Sequence, residues 1–475
     1  MNKNQWKERG FIMNHRKEWN NLLRFVVVIM GSIVCLLGIL ISFHLKFSGQ
    51  IPYRNFIAFE SSYLWIAIGF ILINFLFGTY IFYNKTLMDL FYFTMLSQLF
   101  LSFFMMAVTY AGSWLTFPRS VILLNLFVGT ILLFLFNTIA YLLYHRLSGR
   151  KKVLVVGENK KALNAVINFD RMTNRRHEVT HVVLSDYYRH VVKLSDAVDI
   201  VYLTGYIEET ERLKIYDYLM RNNKKLFLST NFANLMMVNP NIMSFEDESL
   251  IEVSTFSIAF EQAIIKRTID IVTSLLLLIL ASPIMLLTAI AVKLDSKGPV
   301  FYRQVRITKG SKPFNILKFR SMTQTAEEKS GPVLASSNDT RVTRVGKFIR
   351  TSRIDELPQL INVLKGDMSL VGPRPERPFF VNQFSQENAY YELRHHVRAG
   401  ITGYAQVYGK YATDFNNKLN FDLLYIKNYS LAFDFKLLFQ TIKILFDKVS
   451  SRGVDHGELC QPAWEDFQSK VQIYD

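Results

Sequence analysis

The chain has 475 residues, with 55 Lys and Arg against 39 Asp and Glu, a formal charge of +16. Half of its residues are hydrophobic and 39 are Phe, more than the cores of soluble domains need, which argues against a wholly soluble protein. Two cysteines exclude a disulfide framework and a Cys-rich zinc cluster.

Apolar stretches at 25–43, 63–82, 90–110 and 121–144 each have about the length of a spanning helix. The first is too long for a signal peptide and is read as a retained span. Lys3, Lys7, Arg9, Arg16, Lys17 and Arg24 precede it, and Arg146, Arg150, Lys151 and Lys152 follow the fourth. The positive-inside rule therefore predicts four spans with both ends in the cytoplasm, and a first domain over 1–150.

Residues 151–255 alternate between strand-like runs (153–156, 179–184, 200–203, 226–228, 251–253) and helix-like runs (162–169, 208–221). Such alternation predicts a parallel sheet with crossover helices, a Rossmann-like α/β domain. The first strand runs into Gly157-Glu158-Asn159-Lys160-Lys161-Ala162, which lacks two of the three glycines of a dinucleotide turn. His177-Glu178-Val179-Thr180-His181 has the spacing of a zinc protease motif. Its β-branched neighbours favour a strand, where those histidines would stand about 13 Å apart, too far to share a metal.

Residues 272–292 form a fifth uncharged apolar run with Ser282-Pro283 at its middle. Lys266 and Arg267 flank it on one side, Lys293 and Lys297 on the other. A proline break and positive charge at both ends predict a re-entrant helix over 268–294 that enters and leaves on one face.

Candidate chemistry begins in the third domain, 256–475. Lys318 and Arg320 alternate with apolar residues, as on a strand with one basic face. In Arg353-Ile354-Asp355-Glu356-Leu357-Pro358-Gln359-Leu360 the apolar residues Leu357, Leu360, Ile361 and Leu364 follow helical spacing, with Gly366 as a stop. Asp355 and Glu356 would open that helix and point to different neighbours. Acids at this position can also serve only as caps. In Gly372-Pro373-Arg374-Pro375 two prolines fix the backbone around an arginine suited to a phosphate.

Lys266-Arg267-Thr268-Ile269-Asp270, Ser282-Pro283, Lys318-Phe319-Arg320-Ser321-Met322, Asp355-Glu356-Leu357-Pro358-Gln359, Gly372-Pro373-Arg374-Pro375 and Gly400-Ile401-Thr402-Gly403 follow one another in this order. Together they resemble the bacterial sugar transferase family, the monotopic polyprenol-phosphate phosphoglycosyl transferases, in its long form. The resemblance implies a mainly α monotopic catalytic domain on the cytoplasmic face of the bacterial inner membrane. It implies transfer of a sugar 1-phosphate, a hexose, from a UDP-sugar to undecaprenyl phosphate at the start of exopolysaccharide, capsule or O-antigen synthesis. Asp355 would be the nucleophile through a phosphosugar-aspartyl intermediate, Glu356 its assistant, and Mg2+ the cofactor, with Asp355 as a ligand. Lys318, Arg320, Arg353 and Arg374 would hold the phosphates. A homodimer is implied, and nucleic acid is not a partner. Ala399 departs from the family's usual proline, which suggests a looser backbone there. The competing reading is a non-catalytic membrane scaffold of a polysaccharide assembly system.

The last amphipathic stretch places Phe435, Leu438, Phe439, Ile442, Leu445 and Phe446 on one helical face. That face would lie on the membrane surface or in the core.

Overall fold

The computed structural model describes residues 3–82, 85–171, 177–245, 248–322, 341–409, 414–446, 463–467 and 469–475. The chain divides into two compact units. One comprises Met1–Leu154, Asn164–Thr180 and Asp196–Ile200; the other comprises Val155–Leu163, His181–Ser195 and Val201–Asp475.

The first unit opens with long apolar helices: α1 (Lys3–Lys46), α2 (Tyr53–Leu76), α3 (Leu87–Ala111) and α4 (Arg119–Ser148). Each contains a window long and apolar enough to cross a membrane. The second differs from the expected 63–82: Pro52 caps it early, and the chain turns at Gly78, whose φ is +55°. Lys85 donates to the carbonyls of Gly78 and Thr79 just past the helix end. The four helices share a core that includes Ile39, Phe70, Leu101 and Ile122. It also holds polar groups: Asn137 Nδ2 donates to Thr94 Oγ1 at 2.9 Å between α4 and α3.

Next come β1 (Lys151–Gly157), α5 (Asn159–Asp170), β2 (His177–Val183), α6 (Tyr187–Leu194), β3 (Ile200–Thr204), α7 (Glu209–Arg221), β4 (Lys225–Leu228) and α8 (Phe232–Met236). His177 and His181 lie on a strand. The run at 251–253 is not part of the parallel sheet. It belongs to an antiparallel hairpin of β5 (Asn241–Phe245) and β6 (Glu248–Glu252).

The second unit continues with α9 (Phe260–Asp295), β7 (Phe301–Thr308), β8 (Lys312–Phe319), α10 (Arg344–Thr351), α11 (Gln359–Lys365) and β9 (Met368–Val371). It then runs through α12 (Pro378–Glu387), β10 (Ala399–Thr402), α13 (Tyr404–Tyr408), α14 (Phe415–Lys427), α15 (Leu431–Phe446) and β11 (Gln472–Tyr474). The five-stranded sheet has the order β11-β2-β1-β3-β4, so its edge comes from the last residues of the chain. β11 pairs parallel to β2, with Ile473 opposite Val182.

The apolar helix α9 passes through Pro283 as one element, and Ser282 Oγ donates to Ile279 O at 2.8 Å. Both of its ends are fastened to the same small body. At the start, Arg267 donates to Val363 O and Leu364 O, Lys266 pairs with Asp434 at 2.5 Å, and Leu370 N–H donates to Asp270. At the end, Arg320 donates to Ser296 O and Val345 N–H donates to Asp295. Between these ends the helix keeps mostly exposed apolar side chains.

β9 and β10 pair in parallel, and their close approach depends on glycine. A Cβ on Gly400 would lie 2.1 Å from Gly372 N, and one on Gly403 would lie 2.1 Å from Gly372 O. The expected looseness at Ala399 is not found. Its N–H donates to Thr308 Oγ1 at 3.2 Å, a bond that a proline at this position could not make. In α15, Asp434 and Leu437 turn inward while Phe435 is 43% exposed. Leu438 and Phe439 are half-buried beside it, and side chains 442–446 lie outside the described residues.

Candidate functional site

β8 and α11 set the site by side-chain contacts that hold backbone to backbone. Asn362 on α11 accepts from Leu317 N–H at 2.9 Å and donates to Asn315 O at 2.9 Å. This fixes Lys318, the next residue of β8, beside the turn that precedes α11. At the far end of α11, Gly366 takes φ +95°, the left-handed stop that glycine permits. Arg267 and Arg398 both donate to carbonyls of that last turn or of Gly366 itself.

The acid pair does not sit in the first turn of α11 as the spacing predicts. Asp355 and Glu356 lie in a separate 3-10 turn, Ile354–Glu356, and α11 begins only at Gln359 after Pro358. Leu357 N–H donates to Ile354 O, closing the short turn before the proline. Arg353 enters it with φ +58° and ψ +14°, a left-handed conformation that costs a residue with a Cβ about 1–2 kcal/mol. Strain therefore sits next to the acids.

The two carboxyls differ in environment. Glu356 accepts from Lys318 Nζ at 2.7 Å, and Arg374 Nη2 lies 3.8 Å away. Burial alone would raise its pKa, but Lys318 and Arg374 outweigh this and hold it down at about 2. Asp355 is pushed up to about 6, first by burial and then by the charge of Glu356, against the pull of Lys318, Arg350 and Arg353. Its Oδ1 is buried without a hydrogen-bond partner among the described residues. One acid is thus a fixed anion in an ion pair, and its neighbour is a desolvated carboxyl with a free oxygen. Adjacent acids with separated pKa values mark division of labour at functional sites.

The structure brings Lys318, Arg353 and Arg374 around this pair. It adds Arg350, which enters from α10 and donates from Nε to Ser321 Oγ at 2.8 Å. Arg320 goes elsewhere. β8 ends at Phe319, and the Arg320 guanidinium turns to the end of α9, where Nη2 donates to Ser296 O at 2.6 Å and Oγ at 2.9 Å. Its Nε and Nη1 have no partner among the described residues. Ser282 and Pro283 lie in the middle of α9, away from either fastened end.

The loop carrying Arg374 has support that sequence patterns do not reveal. Arg394 donates to Asp422 through Nε at 3.0 Å and to Arg374 O at 2.8 Å, and both side chains of this ion pair are at most 5% exposed. Arg306 Nη1 donates to Pro375 O at 3.0 Å. No short motif joins Arg394 to Asp422, 28 residues apart, so only the fold reveals the pair. His395 and His396 do not face the acids. His395 Nδ1 is 3.2 Å from Ser311 Oγ, and burial, with Arg394 and His396 beyond it, lowers its pKa to about 4. His396 Nδ1 is 3.0 Å from Phe256 O.

A magnesium ion fits this donor set in one way. Among the described residues no three His, Cys, Asp or Glu side chains converge on a point, so no all-protein cage is present. Mg2+ is commonly held by one or two carboxylates and the substrate's phosphates. The unpaired Asp355 Oδ1 supplies such a carboxylate oxygen, whereas Glu356 is engaged by Lys318.

An acid pair, Asp355 buried and Glu356 half-buried, ringed by arginine and lysine and carried on a body fastened at both ends of an exposed apolar helix, defines a membrane-associated protein suited to anionic ligands. Residues 261–448 match the family model described as bacterial sugar transferase. Over 193 residues the chain is 50% identical to a UDP-N-acetylgalactosamine-undecaprenyl-phosphate N-acetylgalactosaminephosphotransferase of Aeromonas hydrophila, covering 40% of this chain and 45% of that protein. A UDP-glucose:undecaprenyl-phosphate glucose-1-phosphate transferase of Klebsiella pneumoniae is 47% identical, with 38% and 39% covered. A protein of the same description from Caulobacter vibrioides is 43% identical over 185 residues, 38% of this chain and 69% of its own length. The chain belongs to the bacterial sugar transferase family. Its match spans less than half the length of the first two relatives.

Proposed function

We propose that the protein transfers a sugar 1-phosphate from a UDP-sugar to undecaprenyl phosphate at the cytoplasmic face of the bacterial inner membrane, as the first step of a surface polysaccharide. The names of the relatives support the substrate classes. The observation that carries the chemistry is the inequality of the acid pair: a desolvated Asp355 with an unpaired oxygen beside a Glu356 whose pKa Lys318 and Arg374 hold down.

In this reading the Asp355 carboxylate attacks the phosphorus that bears the sugar. The bond to the nucleoside phosphate breaks, and nucleoside monophosphate leaves with the bonding electrons. A phosphosugar held on Asp355 as an acyl phosphate remains, until an oxygen of undecaprenyl phosphate attacks the same phosphorus and frees the carboxylate. Splitting the transfer in this way replaces one hard step by two easier ones. Arg353, Arg374 and Arg350 spread the charge of the diphosphate. Lys318 keeps Glu356 in place and ionised, and so keeps the Asp355 oxygen toward the donor. Bound Mg2+, held by Asp355 and the substrate phosphates, would neutralise charge on the diphosphate. Arg320 supports the site indirectly, by tying β8 to the end of α9.

The membrane arrangement in this reading rests on the two fastened ends of α9. A straight helix of 36 residues would be about 54 Å long. The ends of α9, however, bind Val363 on α11 and Arg320 just after β8, and Asn362 ties α11 to β8. That supports a helix bent near Pro283 that dips into the bilayer and returns, with four spans before it. The α/β region is read as Rossmann-like, and the assembly as a homodimer. The three domains are taken as 1–150, 151–255 and 256–475.

Membranes carrying the protein should release UMP when given a UDP-sugar and Mg2+. Asp355→Asn should abolish release at unchanged protein level; normal turnover by that variant would refute the reading.

A further inference from the structure

Tyr302, Gln304 and Arg306 alternate along β7 and are half-buried, whereas Arg303 and Val305 between them are exposed. In the antiparallel register Tyr302 stands opposite Lys318, Gln304 opposite Ile316 and Arg306 opposite Phe314. Opposite residues share a face of the sheet, so the row begins beside the lysine that pairs with Glu356. Hydrogen bonds run along it. Gln304 Nε2 donates to Tyr302 OH at 2.9 Å, and Gln304 Oε1 accepts from Arg306 Nε at 3.1 Å and from Nη2 at 2.7 Å. The remaining nitrogen, Nη1, donates to Pro375 O at 3.0 Å and lies 3.6 Å from Glu376 Oε2. Pro375 follows Arg374, whose Nη2 lies 3.8 Å from Glu356 Oε1, the oxygen that accepts from Lys318 at 2.7 Å. The path closes into a ring around the acid pair's cations. Its joint is a neutral amide. Facing Ile316, an apolar side chain at 304 would pack well, and a half-buried amide costs desolvation unless its partners use it. Arg306 uses it: Arg374 and Arg377 press on this guanidinium with like charge, opposed by Glu376. Gln304 holds it toward Pro375 without cancelling any positive charge of the site.

We propose that Gln304 is a positioning residue of the phosphate site: through Arg306 it fixes the loop that carries Arg374, and so the place of Arg374 relative to the Lys318–Glu356 pair. The group it serves is the diphosphate of the donor, which Arg374 meets directly and Gln304 does not touch. The inference rests on the reading of Arg374 as a phosphate-binding residue and is independent of whether Asp355 is the nucleophile.

The test measures binding rather than turnover, on the full chain in lipid nanodiscs with Mg2+. Isothermal titration calorimetry with UDP gives Kd and the fraction of competent protein separately, so a purely structural lesion lowers the fraction and leaves Kd unchanged. Gln304→Met should weaken UDP about tenfold, within the range of coupling found inside one hydrogen-bond network. In an Arg374→Gln background the same substitution should change Kd less than about twofold, because the residue it positions is already gone. Arg306→Lys keeps the charge but loses the planar fork, and should repeat both results; it decides the matter if Gln304→Met does not fold. An unchanged Kd in the native background, or an equal loss in both backgrounds, would overturn the proposal. Inorganic pyrophosphate is the second probe and carries the same expectation without the nucleoside; a wild type that binds neither probe overturns the proposal as well. The effect of Gln304→Met on Kd should be the same in Asp355→Asn. Failure of the transferase chemistry and failure of this inference are thereby told apart.

Discussion

Two places in the second unit set acidic residues at a candidate phosphate site, and only one rings its acids with cations. In the α/β sheet, order β11-β2-β1-β3-β4, the crevice beyond the ends of β1 and β3 is where such sheets take ligands. Here Glu158 occupies it, accepting from Tyr206 N–H at 3.2 Å, and Trp464 from the C-terminal tail donates to Asn159 at the start of α5. Gly157 lets β1 pass close to β3: a Cβ there would lie 1.8 Å from Thr204 O. Its glycine therefore serves strand packing. At the second place, Asp355 and Glu356 are desolvated, surrounded by cations, and left with one oxygen unsatisfied. An acid satisfied by a distant backbone N–H is finished structure, whereas an acid held in conflict with its surroundings is available for chemistry.

The largest effect should come from exchanging charge at each place. Asp355→Asn should lower UMP release by about a thousandfold or more, the scale on which loss of a covalent nucleophile is felt. Glu158→Gln should change it less than about twofold, since it removes only a solvent-facing bond. A comparable loss in both would break the distinction. Next comes Arg394→Met. It strands Asp422 as a buried unpaired acid and should cost about 3–5 kcal/mol of stability, read as a lower denaturant midpoint. It should also release the backbone of Arg374 and raise KM for the donor.

The pH dependence sharpens the contrast in sign. With Asp355 at about 6, the proposed attack by its carboxylate predicts a rate that falls with unit slope as pH drops below 6. The effect on stability runs the other way. A carboxyl whose folded pKa is raised favours the fold most below its unfolded pKa near 4. That contribution is lost as pH rises through about 6. Asp355→Asn should therefore be more stable than the wild type at pH 7–8, and the difference should vanish below pH 4. Thermal unfolding of both proteins across that range checks this.

Much of this was legible in the sequence. The order of the motifs, the alternating middle region and the apolar helices follow from composition and spacing, which local physics controls. Other features depended on where elements stop. Period-two alternation places Lys318 and Arg320 on one face only while the strand lasts; β8 ends at Phe319, so the two cations part. The second apolar helix is shifted because Pro52 lets it start at Tyr53, with Arg54 and Glu60 within it. Arg394–Asp422, Asn362 and the strand Gln472–Tyr474 are tertiary partners joined across the chain. No periodicity records them.

The smallest predicted effect on stability concerns Arg353, where stability and function separate. Its left-handed backbone is a conformation glycine adopts freely, so Arg353→Gly should remove strain while adding flexibility to the unfolded chain. The two nearly cancel, leaving the unfolding free energy from denaturant titration within about 1 kcal/mol of wild type. Activity should not be spared. The guanidinium contributes to the field on both Asp355 and Glu356. Losing it should reduce kcat/KM by about ten- to a hundredfold, and the acid limb of the pH profile should move above pH 6, as the Asp355 carboxylate loses a stabilising charge. Arg353→Lys keeps the charge but pays the backbone strain, so it should hold the pH profile near wild type. If glycine and lysine variants shift the profile equally, the backbone conformation of residue 353, rather than its charge, governs the acid pair.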